Sequence, residues 1–95
     1  MPSISVKHDN FGRFIERRLE DDLLLYDTFS GETHLIAPPV LVLFEILRDH
    51  SGTSSLLARE MAHYLDGTEQ EVQNFVDRTL ASLQDIGLIE IKEFL

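Results

Sequence analysis

The stretch LLLYDTFSGETHLIAPP, Leu23 to Pro39, constrains this chain more than any other. Leu23, Leu24, Leu25 and Tyr26 form an apolar run long enough for one strand, and Ser30-Gly31 is a turn signal. Thr33-His34-Leu35-Ile36 follows as a second strand, half polar and half apolar. Pro39 suits the first turn of a helix, where its missing N–H is not needed. A hairpin that feeds straight into a helical remainder is an unusual order and narrows the fold. It also leaves the second strand as a sheet edge, and an open edge can pair with an extended peptide.

The flanking segments extend this pattern. Residues 1–12 alternate weakly through Ile4 and Val6 and read as either a strand or an arm. Residues 13–19, RFIERRL, set Phe14, Glu16 and Arg18 on one side and Ile15, Arg17 and Leu19 on the other, charged enough for an edge strand. Glu20-Asp21-Asp22 is a turn. A first helix starts near Pro38 or Pro39 and ends near Asp49 or His50, with Val40, Leu43, Phe44 and Leu47 at buried-face spacing and Gly52 closing it. Thr53, Ser54 or Ser55 caps a second helix, which carries Leu56, Leu57, Met61 and Leu65 and ends near Gly67.

The third helix has the clearest signal. Thr68 with Glu71 three residues on is a capping-box pattern. Val72, Val76, Thr79, Leu80, Leu83 and Ile86 follow on one face, and Gly87 suits the position after the last turn. Leu88-Ile89-Glu90-Ile91 resumes an extended apolar pattern that should cover the core. The expected fold is α+β: a small N-terminal antiparallel sheet of about three strands, three helices, and a short C-terminal extended segment. The last two helices resemble a helix-turn-helix pair. Residues 13–95 make one domain, and 1–12 are its arm or strand.

Composition excludes several function classes. Ninety-five residues suit a single domain with one modest core, and 43% hydrophobic content supports folding. There is no cysteine, hence no disulfide framework and no thiolate chemistry. No apolar run reaches membrane-spanning length, and the N-terminus lacks the apolar core of a signal peptide; a cytoplasmic location is expected, with no membrane partner. Seventeen acidic residues against eight Lys and Arg leave a net charge of −9. Phosphate neutralisation supplies most non-specific DNA affinity, so nucleic acid is not an expected partner. Basic or neutral polypeptides suit the charge better.

No motif for catalysis stands out. His8, His34, His50 and His63 are scattered, with no i, i+4 pair, so neither a metal nor a cofactor is expected. Glu20-Asp21-Asp22 lacks the spacing of a cation loop. Ser30, Ser54 and Ser55 sit in turn or cap contexts without a nucleophile elbow. The chain reads as a non-enzyme.

The strand Leu24-Leu25-Tyr26-Asp27, the turn Ser30-Gly31, the run Thr33–Ile36 with Pro38 after it, the acidic helix start at Glu69 and Glu71, and the closing Leu83…Gly87-Leu88-Ile89 together resemble the PqqD-like family. These are winged-helix precursor-peptide recognition elements. The resemblance spans roughly residues 13–91, and SGETHLI looks most like the branch found beside HPr-kinase-related proteins. Where the family often has Asn or Asp before the helix-opening proline, this chain has Ala37. The resemblance implies a non-catalytic adaptor. It would hold the leader of a ribosomally made precursor peptide as an added strand, lean it on the third helix, and present it to a modifying enzyme.

The candidate site is therefore Glu32, Thr33, His34, Leu35 and Ile36 on the edge strand, with Phe75, Arg78, Thr79 and Ser82 on the third helix. Phe75 lies about 60° from Val72 on the helical wheel, on the flank of the apolar stripe. Phe75 would give apolar contact and Arg78 would meet an acidic guest residue. His34 could tune binding near neutral pH. The plainer reading is an ordinary edge strand, a half-buried Phe and a solvated Arg. A second function class stays open: a regulatory or structural module that binds an HPr-kinase-related partner or self-associates as a homodimer. A DNA-binding winged helix is the third, disfavoured by Glu69, Glu71, Asp77 and Asp85 on the helix that would read bases.

Overall fold

The computed structural model describes residues 2–6, 12–49 and 51–93 of the protein. The elements run β1 (Pro2–Val6), β2 (Phe14–Leu19), β3 (Asp22–Asp27), β4 (Thr33–Ile36), α1 (Val40–Asp49), α2 (Ser54–Met61), α3 (Glu69–Asp85) and β5 (Ile89–Glu93). The α+β expectation holds: a three-stranded antiparallel sheet in the order β2-β3-β4, then three helices. A second, two-stranded sheet pairs β1 with β5, so the C-terminal extended segment is a strand with a partner.

Two tight connections build the β2-β3-β4 sheet. Only Glu20 and Asp21 separate β2 from β3, and Glu20 takes φ 46°, the left-handed conformation that two-residue hairpin loops require. At the other end, Gly31 at φ 78° donates its N–H to the Asp27 carbonyl at 2.7 Å. Strand alternation then sorts the faces. Leu23 and Leu25 are buried and stand opposite Ile36 and His34, forming the inner face with Phe14. The charges of β2 also serve this face: Arg18 pairs with Glu45 at 2.7 Å, and Glu16 pairs with Arg48, so both tie the edge strand to α1.

The first helix is more deeply embedded than its i, i+3, i+4 reading suggested. Leu41, Leu43, Phe44 and Leu47 are buried, while Val40, Val42 and Ile46 are half-buried around them. The Ala37 carbonyl accepts the Leu41 N–H at 3.0 Å, so the helical turn begins across the two prolines without a polar cap at Ala37. Gly52 does more than end the helix. It exchanges two backbone hydrogen bonds with Ile4, at 2.8 and 3.1 Å, and so clamps β1 against the α1–α2 connection. His50 lies outside the described residues.

The second helix departs from expectation at both ends of its apolar stripe. Thr53 is the N-cap, accepting from the Leu56 N–H. Leu56 is 49% exposed, however, and the buried face is Leu57, Ala58 and Met61. The helix stops at Met61 rather than near Gly67. The His63 and Tyr64 N–H groups bond to carbonyls three residues back, Glu60 and Met61, which tightens the final turn and ends the helix early.

The third helix follows its sequence signals closely. Thr68 and Glu71 form a reciprocal capping box. Val72, Val76, Thr79, Leu80 and Leu83 are buried. At the far end Gly87, at φ 84°, donates to the Gln84 carbonyl and Leu88 donates to the Leu83 carbonyl, both at 3.0 Å. These two bonds are a Schellman motif, and the buried Leu83 and Leu88 provide its apolar closure. Leu88 thus enters β5 already packed on the core. The core joins all layers, including Ile4 of β1 and Ile89 of β5.

Candidate functional site

The β4 strand lies at the margin of the three-stranded sheet. Its hydrogen-bond phase can be read from the turn. The Asp27 N–H donates to the Glu32 carbonyl at 2.8 Å, and Asp27 and Glu32 are in register with the Leu25–His34 and Leu23–Ile36 pairs. Antiparallel pairs alternate between bonded and non-bonded positions. His34 and Ile36 therefore turn their backbone groups toward β3, while Thr33 and Leu35 turn theirs away, along the sheet's open edge. Side chains alternate in the orthogonal sense. Ile36 is buried and the His34 side chain is 18% exposed, its Nε2 3.8 Å from the Glu32 carboxylate. Thr33 and Leu35 point to the outer face and are exposed.

The helix half of the candidate site is compact. Phe75, Arg78, Thr79 and Ser82 line one depression of about 270 Å³ together with Val40. Their spacing of i, i+3, i+4 and i+7 places them on one stripe of α3. Thr79 belongs to the buried face and Phe75 is half-buried against the core. Arg78 is exposed and bends back so that its Nε donates to the Asn74 carbonyl at 3.3 Å, and the Ser82 hydroxyl donates to the Arg78 carbonyl. The lining includes no residue of β4; Val40, four residues beyond Ile36, is the link between the strand and the helix. Sequence reasoning placed Val40 in the buried face of α1 and missed its part here.

A second group escaped sequence reasoning altogether. Arg13 makes a two-pronged bond to Asp27, Nε to Oδ1 at 3.1 Å and Nη2 to Oδ2 at 3.0 Å, and Nη2 also reaches the Ile86 carbonyl at 3.3 Å. Asp27 is 2% exposed. Its Oδ1 also accepts the Phe29 and Ser30 N–H groups, which organises the β3–β4 turn. The Arg13 guanidinium holds the Asp27 carboxyl far below the usual carboxylate range, and these turn N–H groups add to the effect against the cost of burial. The same pairing raises the Arg13 pKa. Arg13 stacks on Phe14 and Phe29, and it caps a terminal carbonyl of α3, where a cation is favoured. One side chain thus fixes the sheet to the C-terminal end of α3, the two elements that carry the candidate residues.

The first turn of α3 carries Glu69 and Glu71, and Glu71 is held below its ordinary pKa by the Thr68 backbone N–H and hydroxyl. Among the described residues no group of three or more His, Asp or Glu could hold a metal ion, and no helix is long and apolar enough to cross a membrane.

Comparison with known proteins bears on the fold. No protein-family model matches the chain, and no curated protein does. Two solved structures match over nearly the whole length. One is a lasso peptide synthetase B1 complexed with the leader peptide, with a TM-score of 0.72, 13% identity, and coverage of 92% of this chain and 96% of that one. The other is TbiB1 in complex with the TbiA(beta) leader peptide, with a TM-score of 0.73, 10% identity, and coverage of 90% and 94%. This chain shares their fold.

Proposed function

We propose that the protein is a non-catalytic adaptor that binds the leader of a ribosomally made precursor peptide as an added strand on β4 and presents it to a separate modifying enzyme. The observation that carries this reading is the outward phase of Thr33 and Leu35 on a sheet edge that pairs with no other strand among the described residues. Support also comes from the fold shared with two proteins whose structures contain leader peptides.

Magnitudes explain why the edge needs the helix. Thr33 and Leu35 offer two N–H and two C=O groups. At about 1 kcal/mol net each, four hydrogen bonds give ~4 kcal/mol, a millimolar affinity before any ordering cost. Burying one Leu-sized guest side chain on Val40, Phe75 and Thr79 adds about 1.5–3 kcal/mol. A carboxylate meeting Arg78 adds a charge-assisted bond. Glu32, His34 and Ile36, whose backbone groups turn toward β3, hold the strand in register rather than meeting the guest. On this reading micromolar binding needs both halves of the site, and specificity resides in the α3 depression.

The finer assignment to the branch beside HPr-kinase-related proteins, with such a protein as partner, draws support only from the sequence. The test is a backbone amide NMR titration with a leader peptide encoded near this chain's gene. Shifts should cluster on Glu32–Ile36 and on Phe75–Ser82; shifts confined elsewhere would overturn the reading.

A further inference from the structure

We propose that the outer face of the β2-β3-β4 sheet is a second docking surface, which takes the enzyme acting on the bound peptide through an apolar patch with a carboxylate set against Arg17. This rests on the adaptor reading above. Ile15, Tyr26 and Leu35 are 58%, 43% and 59% exposed, and Leu19 is 40% exposed. Single exposed apolar residues are ordinary, but these share one face. Register sets Ile15 opposite Tyr26, and Leu24 between Arg17 and Leu35, so the side chains form a continuous patch across all three strands.

Charge selects the occupant. The inner-face charges of β2 are satisfied by α1, Glu16 by Arg48 and Arg18 by Glu45. Arg17 points the other way and is exposed, with no acidic partner among the described residues. A cation between Ile15 and Leu19, on the β2 side of an apolar patch, calls for a partner that offers apolar surface and one carboxylate. A second copy of this chain brings a further net charge of −9 and the same cation, while the acidic member of the patch's own face, Asp22, sits at its turn end. An anionic membrane would meet the same net charge and be repelled. A protein of different sequence fits best.

Position selects the partner's role. Thr33 and Leu35 belong to this face by their side chains and to the open edge by their backbone groups. A protein seated on the face therefore lies alongside a peptide added to the edge.

The probe is the purified peptide-modifying enzyme encoded beside this chain's gene. Its affinity for the unaltered protein, Arg17→Glu and Ile15→Ser is measured by calorimetry, with leader-peptide affinity measured in parallel and the fold checked by circular dichroism. Each substitution should weaken enzyme binding about tenfold or more. Peptide affinity should stay within about twofold, since neither residue lies on β4 or on α3. Equal enzyme affinity across the three proteins, or none for the unaltered one, overturns the proposal. A dimer in light scattering that Ile15→Ser splits also overturns it and gives the face to a second copy. Absent peptide binding would count against the adaptor reading alone, because the enzyme measurement reads separately.

Discussion

Arg13 and Asp27, fourteen residues apart, hold each other through two parallel hydrogen bonds of 3.1 and 3.0 Å, and the same guanidinium seals the end of α3. The pairing is planar and two-pronged, which Lys cannot reproduce. Its consequence is a pH dependence with a definite sign. The folded pKa of Asp27 lies below its unfolded value, near 3.8. The stabilisation is therefore complete above pH 3.8 by about a unit, and it is lost as pH falls through that value toward the folded pKa. Urea midpoints should drop between pH 6 and pH 3 in the unaltered protein. Asp27→Asn should be less stable at pH 6 and show a flatter profile; an equally steep profile would assign the acid sensitivity to other carboxylates.

Gly87 should resist substitution for two reasons at once. Its φ of 84° disfavours any side chain, and a Cβ there would stand 2.6 Å from Arg13 Nη1. Gly87→Ala should cost more than about 1 kcal/mol in urea denaturation. Gly52→Ala is the contrast: its φ is not left-handed, and the nearest atom to a new Cβ is Leu56 Cβ at 3.9 Å. That variant should stay near the stability of the unaltered protein.

The capping box predicts a smaller, local loss. Thr68→Ala removes the acceptor for the Glu71 N–H, bonded at 3.2 Å, and should cost about 1 kcal/mol. The far-ultraviolet circular dichroism of the folded state should be unchanged, because the rest of α3 is held by its packed face.

Amide exchange tests the phase of β4. In the free protein the Thr33 and Leu35 N–H groups should exchange fast, and those of His34 and Ile36 slowly. Peptide binding should protect the first pair and leave the second almost unaltered. Protection of all four in the free protein would mean that the edge is already covered.

Phe75→Asp puts a charge into the depression shared with Val40 and Thr79. Peptide affinity should fall by tenfold or more, about 1.4 kcal/mol, while the thermal melt remains cooperative. Arg78→Glu should weaken binding of a peptide that carries an acidic residue and spare the same peptide with that residue neutralised.

Much of the architecture was legible because its signals are local. The hairpin runs, the Thr68–Glu71 box and the 3.6-residue stripe of α3 each need fewer than twenty residues of context. Phe75, Arg78, Thr79 and Ser82 fell together for the same reason, since helical spacing alone aligns them. What stayed hidden is long-range. Five weakly alternating residues at the N-terminus cannot name β5, some 85 residues away, as their partner. Arg13 and Asp27 look like solvated charges until the fold brings them together. Val40 reads as core because its part in the depression depends on where α3 lies. The early stop of α2 is set by how the chain turns after Met61, not by the glycine that follows.

The pairing of β1 with β5 sets Pro2 opposite Glu93, so the two ends of the described chain leave the domain side by side. A fold with neighbouring ends can be spliced into a loop of a larger polypeptide without stretching either junction. The same unit could therefore serve as a free-standing protein or as an insert within an enzyme. Circularly permuted forms, cut at the exposed Glu20-Asp21 turn with the old ends joined by a short linker, should still fold.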